Sequence, residues 1–230
     1  MCPVPGAARP VGCPRRVLVL TRSSPQPPRV SASPQTVPDD VEIGRDVDGV
    51  VLIGGASRRM GVDKAGLRLD GRSMADRVAD ALLAGGCRTV IGYGSGPRAE
   101  ELDLDVHPDR FPGEGPLGGL VGALGVCRGE VVVVASCDLP FLDGVTVGRL
   151  VDALATVDAK GLAPDVAVAT TDRRHHTCAA WARSAESTLL ESFHSGTRAL
   201  HRVIEALRCV DVAVDPHAVE NVNTPDDLRR

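Results

Sequence analysis

The segment from Gly54 to Lys64 has the residue types of a phosphate-binding loop. Two adjacent glycines are followed by Arg58, Arg59 and Lys64. Residues without side chains let backbone N–H groups approach an oxyanion, and the basic side chains supply positive charge. The segment matches neither the Walker pattern GxxxxGK[ST] nor the dinucleotide pattern GxGxxG. We therefore predict a phosphate cradle of another kind, with a glycine-rich turn that carries solvated arginines as the alternative.

The choice of lysine at position 64 favours the phosphate-binding interpretation. Only Lys64 and Lys160 are lysines among 26 basic residues. A lysine ammonium is a compact point charge, whereas an arginine guanidinium is a planar fork. In a chain that otherwise uses arginine, Lys64 is therefore expected to contact phosphate directly.

Asp138 is a candidate metal ligand. It follows the apolar run from Val131 to Ala135, which reads as a buried strand, and precedes Leu139-Pro140. Mg²⁺ prefers one or two carboxylates together with substrate phosphates. A carboxylate released at the end of a buried strand is well placed for that role, and the alternative is that Asp138 only caps the turn.

Two further segments could contact a ligand. The glycines between Phe111 and Leu120 would let a planar group approach the backbone, although tight helix–sheet packing explains them equally. Asp109, just upstream, could accept hydrogen bonds from a base or a sugar, or cap the turn. Asn221 and Asn223, the two asparagines of the chain, alternate across Val222 and so project to one side of an extended segment. Their pairing predicts a polar site for metal or substrate.

Five other residues carry weaker signals. His175 and His176 are expected in a solvated, charged turn. Arg198 and His201 lie on one face of a predicted late helix, where a surface role is the default and contact with an anionic second substrate is the alternative. Trp181 is expected in the core.

Predicted strands and helices alternate from Asp48 onward. The predicted strands are 49–53, 89–91, 131–135, 166–169, 177–181 and 209–214, and the predicted helices are 74–83, 117–126, 145–157 and 197–207. This alternation implies a mainly parallel sheet that is covered on both faces. In such sheets ligands bind beyond the carboxyl ends of the strands. Several of the candidate residues follow strands directly, so we expect them to meet at that edge.

Composition excludes several classes of protein. The net charge of -4 and the small aromatic content, one Trp, one Tyr and three Phe, argue against a general nucleic-acid binder. No apolar run approaches the roughly 20 residues that span a bilayer, so we expect no membrane-spanning segment. The seven cysteines form no CxxC pair, which argues against a structural zinc site. Reduced thiols in a cytoplasmic protein are the better interpretation.

The first 47 residues differ from the rest of the chain. They hold nine of the 17 prolines and show neither a helical nor a strand period. We expect residues 1–47 to be a disordered leader, or the product of a translation start placed too early. One folded domain is expected over residues 48–230.

Taken together, these segments resemble the molybdenum cofactor guanylyltransferases, within the wider Rossmann-like nucleotidyltransferases. Four stretches carry the resemblance: Leu52 to Lys64, Asp109 with Gly115-Pro116-Leu117, Cys137 to Pro140, and Asn221 to Pro225. The paired glycines and the Asn-x-Asn-Thr-Pro ending are typical of the guanylyl branch. The resemblance implies a Rossmann-like three-layer α/β sandwich with a mainly parallel sheet, of the nucleotidyltransferase type, over residues 48–230.

The resemblance also implies roles for individual residues. The implied binding residues are Leu52, Ile53, Gly54, Gly55, Arg58, Lys64, Asp109, Asp138, Asn221 and Asn223. Of these, Asp138 would ligate Mg²⁺, and the two asparagines would line the site for the pterin or the metal. The others would contact GTP. The implied catalytic residues are Lys64, Arg59 and Asp138.

The implied reaction is attack of the terminal phosphate of molybdopterin on the α-phosphorus of GTP, with release of pyrophosphate. A phosphate nucleophile is already ionised at pH 7, so no general base is required. Lys64, with Arg58 or Arg59, would stabilise the leaving pyrophosphate. GTP and molybdopterin are the expected partners, with transient contact to proteins that deliver or accept the cofactor. The alternatives are cytidylyl transfer to the same pterin, a sugar-phosphate nucleotidyltransferase, and a nucleotide-binding module without turnover.

Overall fold

The computed structural model describes residues 46–53, 67–94, 99–223 and 227. The strands are β1 (Val47–Leu52), β2 (Arg68–Leu69), β3 (Arg72–Ser73), β4 (Thr89–Tyr93), β5 (Asp105–His107), β6 (Val131–Ser136), β7 (Val166–Thr170), β8 (Arg174–Ala182) and β9 (Cys209–Ala213). The α-helices are α1 (Met74–Ala84), α2 (Gly115–Leu124), α3 (Gly144–Ala153), α4 (Glu186–His194) and α5 (Leu200–Ala206). Residues 1–45 of the predicted leader lie outside the described residues, and β1 begins one residue before the expected start of the domain.

Seven of the described strands form one sheet in the order β5-β4-β1-β6-β8-β7-β9, and β2 pairs with β3 in a separate hairpin. The β5–β4, β4–β1, β1–β6 and β7–β9 pairs are parallel. Strand β8 is antiparallel to both of its neighbours, β6 and β7. The prediction of a mainly parallel sheet is therefore confirmed, with one reversed strand that the sequence pattern did not reveal.

Helices cover both faces of the sheet, as the buried strands require. Side chains of α1 and α3 pack against one face in one apolar cluster, and side chains of α2, α4 and α5 pack against the other. Strand β1 alternates between the clusters, with Val51 in the first and Val50 in the second. The chain's one tryptophan, Trp181, lies on β8 opposite Val132 and Val166 and is only 1% exposed. The predicted three-layer sandwich and the core position of this residue are confirmed.

Local signals set the ends of α1. Its N-cap is Ser73, whose hydroxyl oxygen accepts a hydrogen bond from the Asp76 N–H (3.0 Å). The helix ends before Gly85-Gly86, and Gly86 adopts a φ of 101°, which a residue with a side chain rarely adopts. This helix begins at the predicted residue and extends one residue beyond the predicted end.

Several boundaries differ from the prediction. Strand β8 begins at Arg174 rather than Thr177, because its polar first residues pair with β7 at Thr170 and carry no apolar alternation. Helix α5 begins at Leu200, since Ala199 before it is extended (φ -83°, ψ 113°). Helix α4 was not predicted, although Leu189 and Phe193 are both buried and lie four residues apart.

In the described part of the chain, no helix is both long enough and apolar enough to cross a membrane. The five described cysteines are free thiols. Burial raises the pKa of Cys87, Cys127 and Cys178 to about 12, so these thiols stay protonated at neutral pH and behave as small apolar side chains.

Candidate active site

Asp138 lies in the turn that follows β6, at the carboxyl edge of the sheet. Its backbone carbonyl accepts a hydrogen bond from the Val222 N–H (2.9 Å). The N–H of the preceding Cys137 donates to the Leu52 carbonyl at the end of β1 (3.0 Å). These bonds hold the turn against β1 on one side and against the segment 221–223 on the other. The structure therefore brings together the parts of the chain that carry Asp138 and the two asparagines.

The residues after Asp138 are tied to two further elements. The Arg77 side chain on α1 donates from Nε to the carbonyl of Pro140 (3.1 Å). The Phe141 ring stacks on the His217 ring, with centroids 4.4 Å apart and planes inclined by 25°. The turn that carries Asp138 is thus restrained from several directions.

The segment 221–223 has the alternation that the sequence predicted. Val222 is 1% exposed, whereas Asn221 is half-buried and Asn223 is exposed. The backbone N–H of Asn223 donates to a side-chain oxygen of Asp227 (3.0 Å). Contact of the two asparagine side chains with metal or substrate stays a prediction.

Asp109 caps a turn next to β4. One of its carboxylate oxygens accepts a hydrogen bond from the Phe111 N–H (2.9 Å), which is the turn-capping role that the sequence left open. The intervening Arg110 N–H donates to the hydroxyl of Tyr93 (2.9 Å), and burial raises the pKa of that phenol. A Cβ atom on Gly122 would lie 1.9 Å from the Tyr93 hydroxyl, so only glycine fits there. The turn is thus well anchored, and nucleotide contact by Asp109 stays a prediction.

The predicted phosphate cradle starts directly beside the Asp138 turn. Leu52 and Ile53 are buried, and the Ile53 N–H donates to the Tyr93 carbonyl at the end of β4 (2.9 Å). The remaining predicted cradle residues, which lie outside the described residues, are Gly54, Gly55, Arg58, Arg59 and Lys64. Their contacts stay predictions, but the chain enters this segment at the carboxyl edge of the sheet, as the fold rule requires.

A cleft of about 550 Å³ opens at the same edge. It is lined by the start of β8, the start of α5, and Pro116, Leu139 and Asn221. The start of β8 lies here because this strand is antiparallel to β6, so that its first residues meet the carboxyl ends of the parallel strands. Two residues flanking the Asp138 turn, Leu139 in sequence and Asn221 in space, therefore belong to the cleft.

The side chains at the start of β8 are basic or titratable. Arg174 forms a double hydrogen bond with Asp211 on β9 (2.6 and 2.9 Å), whereas Arg173 is exposed. His175 shares a hydrogen bond with the hydroxyl of Thr171 (2.9 Å). Burial lowers the pKa of His175, and the positive charge of Arg173 lowers it further. The prediction of a solvated turn was wrong here, because His175 and its neighbour lie on a strand and are half-buried.

His176 faces His201 across the cleft. Their ring centroids are 6.0 Å apart and their planes are inclined by 51°. Burial lowers the pKa of His176, as do the neighbouring His201 and Arg174. No local sequence pattern joins residues 176 and 201, so only the packing of α5 beside the start of β8 could reveal this pair.

The prediction that Arg198 shares a helix face with His201 was wrong. It precedes α5, and its guanidinium pairs with Glu114, the residue before α2. The same group donates to the Phe193 carbonyl (2.8 Å) and lies over the Phe193 ring, 4.4 Å from the centroid. Arg198 therefore joins the start of α2 to the connection between α4 and α5.

The oxygen-bearing side chains in the described part of the site suit Mg²⁺ better than they suit a metal ion that protein side chains hold alone. In the ranges that the structure describes, no group of three or more His, Cys, Asp and Glu side chains could hold a metal ion. Mg²⁺ commonly uses one or two carboxylates and completes its shell with water and substrate phosphates. The Asp138 carboxylate, together with the amide groups of Asn221 and Asn223 on the adjoining segment, is a donor set of that kind.

Comparisons with known proteins agree with this geometry. Residues 49–212 match the sequence model of the MobA-like NTP transferase domain. The molybdenum cofactor guanylyltransferase of Rhodobacter capsulatus is 32% identical over 190 residues, which cover 80% of this chain and 94% of the relative. The enzyme of the same name from Rhizobium leguminosarum bv. trifolii is 33% identical over 213 residues, which cover 82% and 93%.

Solved structures show the same fold. The molybdopterin-guanine dinucleotide biosynthesis protein A of Archaeoglobus fulgidus aligns with a TM-score of 0.62 at 22% identity, over 79% of this chain and 95% of that one. The 2-C-methyl-D-erythritol 4-phosphate cytidylyltransferase of Thermus thermophilus aligns with a TM-score of 0.58 at 15% identity, over 78% and 94%. With the match over residues 49–212 and the relatives at 32% and 33% identity, the chain belongs to the MobA-like NTP transferase family.

Proposed function

We propose that this protein transfers GMP from GTP to the terminal phosphate of molybdopterin and releases pyrophosphate. The observation that carries the proposal is the position of the Asp138 turn. It adjoins the start of the predicted phosphate cradle on one side, and on the other it adjoins a cleft of about 550 Å³ that offers room for a second substrate. Relatives named for this reaction align over most of their length, which supports the same assignment.

In this proposal the acceptor phosphate lies in the cleft and the triphosphate lies against the cradle. An oxygen of the acceptor phosphate forms a bond to the α-phosphorus, while the bond from that phosphorus to the pyrophosphate oxygen breaks. Lys64, with Arg58 or Arg59, stabilises the charge that develops on the leaving pyrophosphate. The protein contributes mainly position and charge, because an ionised phosphate needs no base.

Asp138 is the proposed ligand of Mg²⁺. The ion, when bound, supplies positive charge that neutralises the phosphates. Asn221 and Asn223 are proposed to orient the acceptor or the metal ligands from the other side of the turn. Cytoplasmic location and transient contact with proteins that deliver or accept the cofactor complete the proposal.

The test is pyrophosphate release by the purified protein with molybdopterin and each of GTP, CTP, ATP and UTP. We expect release with GTP that depends on both molybdopterin and Mg²⁺. Preference for CTP would replace guanylyl transfer by cytidylyl transfer to the same pterin. Binding of GTP without any release of pyrophosphate would contradict an enzymatic role and favour a nucleotide-binding module.

A further inference from the structure

Two imidazole rings in the cleft have no role in the mechanism above. His176 on β8 and His201 on α5 face each other with ring centroids 6.0 Å apart. In the described part of the chain, neither ring makes a hydrogen bond or an ion pair, whereas the adjacent His175 is bonded to Thr171. Both rings line the cleft, and their nitrogens could therefore engage a ligand there.

The charges around His176 come from three elements. On β8, Arg174 lies nearby, but its guanidinium is paired with Asp211 on β9. On α5, Glu205 raises the pKa of His176, while His201 and Arg174 lower it and burial lowers it most. The net result is a ring that is mainly neutral at pH 7 in the free protein and whose pKa an added negative charge would raise.

We propose that His176 and His201 are the residues that select a phosphate monoester dianion in this cleft, and that the pair takes up a proton as the dianion binds. The inference rests on the proposed function, because the terminal phosphate of molybdopterin is such a monoester. Monoester and diester phosphates differ by one negative charge near neutral pH. A ring that takes up a proton together with the dianion, as proposed for His176, therefore discriminates between them.

This selectivity also separates substrate from product. The acceptor phosphate carries two negative charges before the reaction. After its oxygen has bonded to the α-phosphorus and pyrophosphate has left, that phosphate carries one negative charge. The imidazole pair then returns its proton to solvent and holds the product less tightly. The histidines thereby favour binding of the acceptor and release of the dinucleotide.

Proton uptake makes the affinity depend on pH with a defined sign. For each proton taken up, the affinity falls by up to about tenfold per pH unit as the pH rises from the lowered pKa of His176 in the free protein towards its raised pKa in the complex, and the affinity levels off above that value. The second pKa of a phosphate monoester is about 6, so at lower pH the acceptor itself becomes a monoanion. The affinity should therefore be highest near that pH and should decrease on both sides.

The experiment is anaerobic calorimetric titration of molybdopterin into the purified protein at pH 7.5, in two buffers with different ionisation enthalpies. We expect uptake of up to one proton by the unsubstituted protein and none by the His176→Asn/His201→Asn double variant. The double variant should also bind more weakly at pH 6.5, by about tenfold if the pKa of His176 in the complex lies one unit above that pH, and its affinity should change little between pH 6.5 and 8.5. The matched control is His194→Asn, an exposed histidine on α4, which should behave as the unsubstituted protein does.

Molybdopterin from which the phosphate has been removed enzymatically is the second ligand. It should bind without proton uptake if the pair recognises the phosphate. Binding of intact molybdopterin without uptake, or undiminished uptake in the double variant, would overturn the inference and leave the proposed function standing. Failure of intact molybdopterin to bind at all would overturn both. The two single variants, each expected to reduce the uptake, replace the double variant if it does not fold.

Discussion

At the amino edge of the sheet, where the parallel strands begin, charged side chains form hydrogen bonds with buried backbone groups. The buried Asp48 carboxylate accepts hydrogen bonds from the N–H groups of Arg128 and Gly129 (2.8 and 2.7 Å). Arg183, just after β8, donates to the carbonyls of Gly129 and Leu124 (2.8 and 3.0 Å). These groups close the loops between strands, and each has the partner that its burial requires.

At the carboxyl edge the charged and titratable side chains border open space instead. His176 and His201 face the cleft, and Asn221 lines it beside the Asp138 turn. Here a backbone hydrogen bond from Val222 to the Asp138 carbonyl and the Arg77 side chain, which donates to the Pro140 carbonyl, hold the Asp138 turn in place. In the described part of the chain the His176 and His201 rings make no hydrogen bond, which leaves these two rings available for a ligand.

Charged groups at the amino edge are expected to stabilise the fold, whereas the groups that line the cleft at the carboxyl edge are expected to bind ligands. A substitution at the amino edge removes a partner from a buried group, which lowers the free energy of unfolding. A substitution of a group that lines the cleft is expected to change ligand binding more than the free energy of unfolding. Stability and turnover should therefore respond independently, and the following four changes test that separation.

The largest expected effect is the loss of turnover in Asp138→Asn. The substitution keeps the size of the side chain but removes the negative charge proposed to hold Mg²⁺. Because a catalytic metal supplies several kcal/mol of charge stabilisation, kcat should fall on the order of a thousandfold. Pyrophosphate release and thermal unfolding are measured together, with Asp152→Asn on the exposed side of α3 as the control. A large loss of stability with retained kcat would reverse the assignment of this edge.

The next effect is expected from Lys64→Ala. Loss of the point charge on the leaving pyrophosphate should cost about 2–4 kcal/mol of transition-state stabilisation, or about 30- to 1000-fold in kcat/KM. The matched control is Lys160→Ala, which removes the other lysine of the chain from an exposed turn. Equal kcat/KM values for the two variants would remove Lys64 from the mechanism.

At the opposite edge, Arg183→Met should act on stability alone. The substitution leaves the Gly129 and Leu124 carbonyls without their guanidinium donor and removes the ion pair with Glu186. We expect the free energy of unfolding to fall by about 1–3 kcal/mol, measured by urea titration. Arg149→Met, at an exposed position on α3, is the control and should change little. Specific activity of the folded Arg183→Met protein should be nearly unchanged, and a selective loss of kcat would contradict the separation.

The smallest effect is a change in how stability depends on pH. Burial lowers the pKa of His176 in the folded protein, so at mildly acidic pH the unfolded chain binds more protons than the folded chain does. The free energy of unfolding should therefore decrease as the pH falls through the unfolded-state value and on towards the lowered folded-state pKa. In His176→Asn this decrease should be shallower, as seen in thermal melts between pH 5 and 7.5. An identical slope in both proteins would show that the ring is not buried in solution.

Local patterns in the sequence indicated several residues that lie at the carboxyl edge. Asp138 and the alternating Asn221 and Asn223 were identified because an apolar strand or a local polar alternation marks each of them. The structure then showed that the Asp138 turn and the asparagine segment adjoin. Sequence order alone could not show this, since the contact joins residues more than 80 positions apart.

The cleft at the start of β8 could not be predicted in the same way. The start of β8 is Arg-His-His-Thr, which has no strand period because one end of the strand borders the cleft instead of the core. The late helix was expected to include Arg198, whose pairing with Glu114 is a contact that only the fold creates. By contrast, the spacing of four residues between the apolar Leu189 and Phe193 is a sequence pattern that predicts helix α4.

The single tryptophan gives the reversed strand an optical label. Trp181 is buried in the middle layer on β8, between β6 and β7, and the same strand includes His176, which lines the cleft. Its indole emission should therefore shift to longer wavelength only when β8 separates from its neighbours and water reaches the ring. Fluorescence of the native chain thus follows the integrity of the strand whose first residues line the cleft, with no dye and no added residue.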